Sequence, residues 1–155
     1  MAHLAVIVPE IPDAVLQAKY SGFAAVAAVT VYEIALKDIL FEFAESQHPL
    51  LGVFTHSQWD RINGRIRLCH IKDDYLASFG GDYVVCFRDA LDAATTKYLV
   101  EHGSDIVTSY SNLILWRHDF VHQARVSASA TFEDVRKSYE AGKRVLACVH
   151  EALYA

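Results

Sequence analysis

Cysteine, proline and glycine are all scarce in this 155-residue chain, which holds three, three and seven of them. The cysteines, Cys69, Cys86 and Cys148, are scattered and odd in number, with no C-x-x-C pair. That speaks against a disulfide framework and for a reducing compartment. Positive charge is also short. Fourteen Lys and Arg against nineteen Asp and Glu give a formal charge of −5, which argues against binding nucleic acid by bulk charge and leaves only a local basic patch. Long hydrophobic runs are missing too. The most apolar segment, Gly22 to Val31 (GFAAVAAVTV), stops at Tyr32-Glu33. It is too short to span a bilayer and reads as a buried helix. The opening, Met1 to Pro12, lacks the basic stretch and the length of a signal peptide. A soluble cytoplasmic protein without a membrane partner is expected. No repeat, linker or low-complexity stretch divides the chain, so residues 1–155 are expected to form a single domain.

What is present is helical. Apolar types make up 53% of the chain, enough at this length to remove roughly two thirds of the unfolded surface from water. Alanine is abundant, and the few Pro and Gly residues sit between periodic segments. A first helix is expected from Pro12-Asp13 to Ser46, with a kink or break at Ser21-Gly22, ended by His48-Pro49 and followed by a loop through Gly52. A second is expected over 57–78, closed by Gly80-Gly81. A third runs from a cap at Asp82 to about Glu101, and a fourth from a cap at Ser104 to about Ala124. A fifth runs from Thr131 to Leu153, opened by a capping box with Asp134 in place of the usual Glu. The fold class expected is all-α, an antiparallel bundle of about five helices. The run Leu4 to Val8 is left open between strand and terminal arm.

One stretch carries chemistry. The fourth helix has an apolar stripe, Ile106, Tyr110, Leu113, Phe120 and Ala124, spaced near three and four. The member missing between Leu113 and Phe120 is position 117, and it holds arginine. A guanidinium on a core stripe needs a counter-charge or a cleft, because stranding it costs several kcal/mol, on the order of the penalty for any unpaired buried ion. At about 100° per residue, with Arg117 at zero, His118 lies near 100°, His122 near 140° and Arg125 near 80°. Asp119 points away, near 200° by the same reckoning. Four nitrogen-bearing side chains on one arc suit a phosphate, since Arg offers a rigid fork of donors and His exchanges protons near neutral pH. Bare spacing is weak evidence, since Arg65…His70 has the same interval and Arg144…His150 one more residue. Only Arg117 is followed at once by a polar residue and stands near the end of one helix, shortly before the next.

The sequence Arg117-His118-Asp119-Phe120-Val121-His122 resembles the R-polar-x-x-x-H motif of the HEPN superfamily, which lies late in a helical bundle and is followed by one last helix. Tyr32-Glu33-Ile34-Ala35-Leu36-Lys37-Asp38-Ile39-Leu40 resembles the long first helix of its RiboL-PSP-HEPN and MAE-type branches. The resemblance covers most of the chain as a pattern of helices. It implies a HEPN-like fold and a metal-independent endoribonuclease, toxin-like or defence-related, that works as a two-fold homodimer. Arg117 and His122 would be the catalytic pair, with His118 at the polar position. Gln123 stands where many relatives have Gly, and some HEPN proteins have no known nuclease activity.

RNA can be cut without a metal or other cofactor when its 2′-hydroxyl attacks the adjacent phosphorus, given a base, an acid and a cation. His122 is the expected base and Arg117 the phosphate clamp. Facing two such helices in a dimer would supply a second histidine. Arg125, Arg61 and Arg65 are candidate substrate contacts, although Arg61, Arg65, Arg67 and Lys72 read more simply as a solvated basic face. An antitoxin protein is a further conceivable partner. The alternatives are a non-catalytic HEPN-like module that binds a nucleotide or protein, and a metal-dependent hydrolase using His118 and His122. The run H-D-x-x-H echoes a zinc motif, but no third ligand stands at a familiar distance and the arginines would repel a cation. Glu33 reads as a rim residue in preference to a buried partner for a cation such as Arg117. His150 and Arg144 read as surface or packing residues. The three cysteines read as small core residues, and Trp59 and Trp116 as packing groups.

Overall fold

The computed structural model describes residues 2–62, 64–123 and 130–155. Helix α1 (Ala2–Ile7) leads into a 3₁₀ turn (Val8–Glu10), so the Leu4 to Val8 run is neither a strand nor an extended arm. Helix α2 (Ala14–Gln47) starts where the Asp13 carboxylate accepts from the Val15 and Leu16 amides. Then come α3 (Pro49–Trp59), a π-helical segment (His70–Leu76), α4 (Ala77–Phe79), α5 (Gly81–His102), α6 (Ile106–Gln123) and α7 (Phe132–Tyr154). The result is an antiparallel helical bundle with no strand among the described residues.

Helix α2 is the spine, packed against α3, α6 and α7. It buries Ala24, Ala25, Ala28, Tyr32, Leu36 and Leu40. It does not break at Ser21-Gly22. The Ser21 hydroxyl donates back to the Gln17 carbonyl at 3.1 Å, which keeps its buried oxygen satisfied within the helix. Gly22 is there for closeness. A Cβ at that position would collide with the Phe120 ring of α6, so the absent side chain lets the two helices meet. Tyr32 is buried between the rings of Tyr110 (5.2 Å) and Tyr139 (5.6 Å), and its hydroxyl donates to the Tyr139 carbonyl at 2.7 Å. This stack ties α2, α6 and α7 together.

The expected loop through Gly52 is instead helix α3, because Pro49 suits a first helical turn and His48 Nδ1 accepts from the Leu50 amide at 3.1 Å. The helix expected over 57–78 is interrupted. α3 stops at Trp59, the chain turns, and winding resumes only near residue 68. The tyrosine hydroxyls of Tyr75 and Tyr110 donate to the carbonyls of Arg65 and Ile66, each at 2.7 Å. Those bonds satisfy carbonyls that a helix would otherwise have to pair. The π winding lets Ile71 and Leu76, five residues apart, both turn inward.

The remaining helix ends follow local chemistry. α5 begins at Gly81, capped by Gly80 and not by Asp82, which sits in its first turn. α6 is capped by Asp105 and not Ser104, through the Thr108 amide at 2.6 Å. The Thr131–Asp134 capping box forms as expected. Cys148 is a core residue, but Cys69 and Cys86 are exposed, and all three are free thiols. Trp59 packs edge-on against Tyr75 and Phe79, and Trp116 is half-buried against the core. Arg144 and His150 are exposed on α7. Among the described residues no helix is long and apolar enough to cross a membrane.

Candidate functional site

Helix α6 carries the described part of its stripe inward as its spacing requires, and Ala124 lies outside the described residues. Ile106, Tyr110 and Leu113 are fully buried, and Phe120 packs edge-on against Phe23 at 5.0 Å. Arg117, one turn beyond Leu113, is half-buried. Its guanidinium is aimed at the turn of Gly64, whose φ of 77° favours glycine. A Cβ on Gly64 would lie 3.6 Å from Arg117 Nη1, 3.9 Å from Nη2 and 3.9 Å from Glu33 Oε1. The bare backbone at residue 64 is therefore where a cation from α6 and a carboxylate from α2 converge.

Glu33 is half-buried and not a simple rim residue. Its Oε1 is shut off from solvent and, among the described residues, has no hydrogen-bond partner. Among the described residues, no carboxylate oxygen lies within 4.0 Å of the Arg117 guanidinium. The two groups thus share a neighbourhood without a close ion pair. Tyr75 and Tyr110 line the same turn. Burial pushes the Tyr75 phenol up to about 12, with the Asp74 and Glu33 carboxylates adding to the rise and Arg65 opposing it. Burial also raises the Tyr110 phenol, and the Glu33 and Tyr75 charges raise it further. Both phenols stay protonated, as donors to the loop carbonyls require.

The histidines lie on the outer side of α6. His118 and His122 are exposed, and their rings sit 4.6 Å apart between centroids, tilted by 46°. The expected arc is thus divided, with Arg117 at its inner edge by the Gly64 turn and the two histidines together at its outer edge. Asp119 is half-buried on another side of the helix. Arg125 lies outside the described residues.

The other expected substrate contacts are not on a helix. Arg61 is an exposed residue of the turn after α3, where it borders a hollow with His56, Ser57, Gln58 and Asp60. Arg65 directly follows Gly64, is exposed, and pairs with Asp74 at 2.8 Å. Lys72 is bound to Asp73 at 3.4 Å. Arg61, Arg65 and Arg67 therefore belong to the loop that meets Arg117, which brings Arg65 near the site by chain continuity, whereas Lys72 lies on the π-helical segment. Among the described residues no group of three or more His, Cys, Asp or Glu is placed to hold a metal ion, so His118 and His122 stand as a pair without a third ligand.

Sequence reasoning missed Gly64 and Tyr75, and placed Tyr110 on the apolar stripe without its hydroxyl's bond to the loop. The Asn63-Gly64 dipeptide is a turn signal that could have flagged the first. Nothing local marks the role of the two hydroxyls, which matter only because the fold brings them to the loop.

Neither the curated proteins nor the solved structures give a significant match. A family model described as RiboL-PSP-HEPN does match, over residues 2–155. That span takes in both α2, with Glu33, and α6, with Arg117 and His122, within one all-helical bundle. By that match the chain belongs to the RiboL-PSP-HEPN family.

Proposed function

We propose that this HEPN chain is a metal-independent endoribonuclease, toxin-like or defence-related, that leaves 2′,3′-cyclic phosphate ends. The observation that carries the reading is the division of labour on α6. A half-buried guanidinium stands at one edge, and two imidazoles stand in contact at the other. Arg117 is assigned to the phosphate, where its fork of donors stabilises the crowded phosphorane. His122 is assigned as the base that takes the 2′-hydroxyl proton. Arg65 and Arg61, both exposed, supply outer phosphate contacts. Arg125 belongs to the same assignment by sequence alone. RNA is the substrate partner on this reading, the site lies in the cleft of a homodimer, the compartment is the cytoplasm, and an antitoxin protein is a further partner.

The test is cleavage of a defined RNA in excess EDTA, with the products assayed for cyclic phosphate. Activity that survives chelation and falls by at least about 10²-fold in Arg117→Ala and in His122→Ala supports the reading. A His122→Ala chain that cuts as well as the parent overturns the assignment. Slowed growth of the expressing host, relieved by the double change, is a second readout.

One observation favours the alternative, a non-catalytic HEPN-like module. The Glu33 carboxylate shares the Gly64 turn with Arg117 and offsets part of the charge a phosphate would seek. That reading expects no cleavage, but saturable binding of a nucleotide or protein that weakens in Arg117→Ala.

A further inference from the structure

A surface helix of a bundle ordinarily turns its large apolar side chains inward and its polar ones to water. Helix α3 does the reverse. Among the described residues its extensive packing is against α2 alone, and the residues it buries are Gly52 and Thr55. A Cβ on Gly52 would collide with the Glu45 side chain of α2, so the missing side chain lets the two helices meet closely. On the opposite side, Leu50, Val53 and Phe54 are 73%, 68% and 58% exposed. Spaced by three and four, they form one stripe along the helix. Single apolar residues on a surface need no explanation, but a contiguous group marks a place where something docks.

The stripe has an acidic border. Asp38, Glu42 and Glu45 are exposed on α2 at intervals of four and three, which puts them on one ridge. Glu45 ties that ridge to α3 through His56 Nε2 at 3.0 Å. Among the described residues, Asp38 and Glu42 have no cationic nitrogen within 4.0 Å. Lys37, on the same stretch of α2, is half-buried and donates to the Asp60 carbonyl, so it serves the end of α3 and not the ridge. A second copy of the chain meeting this face across a two-fold axis would bring two acidic ridges to one seam. An anionic bilayer would meet the same repulsion. A cationic partner gains from the ridge instead.

We infer that the outer face of α3 is a docking surface for another protein, which presents an amphipathic helix whose apolar stripe is flanked by Lys and Arg. Leu50, Val53 and Phe54 form the apolar contact, and the partner's side chains at i, i+3, i+4 and i+7 pack between them. Asp38 and Glu42 face its cations and fix its orientation. None of these residues belongs to the site on α6, so the inference stands apart from the ribonuclease reading.

The test uses three synthetic peptides of about 15 residues, long enough to hold a helix. One carries leucine on one face and lysine on the other. One replaces each lysine by glutamate, and one scrambles the leucine–lysine sequence to remove the stripe. Calorimetry measures binding to the full chain, and amide hydrogen exchange locates it. The leucine–lysine helix is expected to bind at least about tenfold more tightly than the other two peptides and to slow exchange in α3. The double change Leu50→Gln, Phe54→Gln is expected to weaken binding by at least about tenfold. Both positions are exposed and glutamine suits a helix, and circular dichroism checks that the bundle stays folded. Glu42→Lys is expected to weaken binding too, and to make it less sensitive to salt. Equal binding of the scrambled peptide, unchanged affinity in the double variant, or protection away from α3 would each overturn the inference, as would a parent chain that binds none of the peptides. Self-association of the parent that the double variant abolishes would give the face to a second copy. Binding of the parent, but not the double variant, to phosphatidylglycerol vesicles would give it to a membrane. Either result also overturns the inference.

Discussion

Replacing Gly22 by alanine sets two effects of known sign against each other. Alanine in a helix interior is favoured over glycine by about 0.8–1.0 kcal/mol. On an exposed helix face the change would stabilise. Here the new methyl would come within 2.6 Å of Phe120 Cγ and closer still to two other ring carbons, distances that real contacts do not reach. The ring cannot yield freely, since it is half-buried and packed edge-on against Phe23 at 5.0 Å. Either α2 and α6 part or that aromatic contact, worth about 0.5–1.5 kcal/mol, is lost. Overpacking of this kind costs about 1–3 kcal/mol. The steric cost wins, and Gly22→Ala is expected to destabilise by about 1–2 kcal/mol net, a fall in Tm of a few degrees at roughly 2–4 °C per kcal/mol. The check is urea unfolding followed by far-UV circular dichroism, run as a double-mutant cycle with Phe120→Ala. Without the ring, the same alanine is expected to stabilise by up to about 1 kcal/mol. Since Phe120 lies between Arg117 and His122, the single variant is also expected to cut RNA less well at temperatures where it is fully folded. An alanine whose effect has the same sign and size in both backgrounds would refute the close-approach argument.

The other expectations concern the loop and the helix ends. Tyr110→Phe removes the donor to the buried Ile66 carbonyl and is expected to cost about 1–3 kcal/mol in chemical denaturation. It should also expose the 60–67 segment to amide hydrogen exchange, and unchanged exchange there would count against the stapling role. The Tyr75 phenol is raised to about 12 by burial, so the stability it contributes is complete below an ordinary phenol pKa of about 10 and is lost as pH climbs from there towards 12. Alkaline unfolding of Tyr75→Phe should lack that component, and an identical alkaline profile would contradict it. Thr131→Ala breaks the capping box that opens α7 and is expected to cost about 1 kcal/mol by thermal unfolding. Thr131→Ser should retain most of the parental stability, and an equal loss in both variants would show that the hydroxyl is not the cause.

The helical class, the capping box at Thr131 and Asp134, the buried stripe of α6 and the anomalous Arg117 were all legible in the order of residues. Each rests on short-range geometry, a turn of helix or a cap, which a linear pattern encodes. The segment over 57–78 was misread for the opposite reason. Its apolar positions suit a helix locally, yet the carbonyls of Arg65 and Ile66 are paired with hydroxyls from Tyr75 and Tyr110. Tyr110 lies 44 residues away from Ile66. Exposure of Cys69 and Cys86 likewise depends on which helix faces are covered, which residue type alone does not decide.

The order of residues by itself determined that α6 would turn a guanidinium towards the interior and carry two imidazoles one turn apart, because a helix fixes those bearings. Only the tertiary structure decided what the guanidinium meets. A left-handed glycine and a buried carboxylate oxygen, from a loop and a helix distant in the chain, arrive there because closing the hydrophobic core brings them.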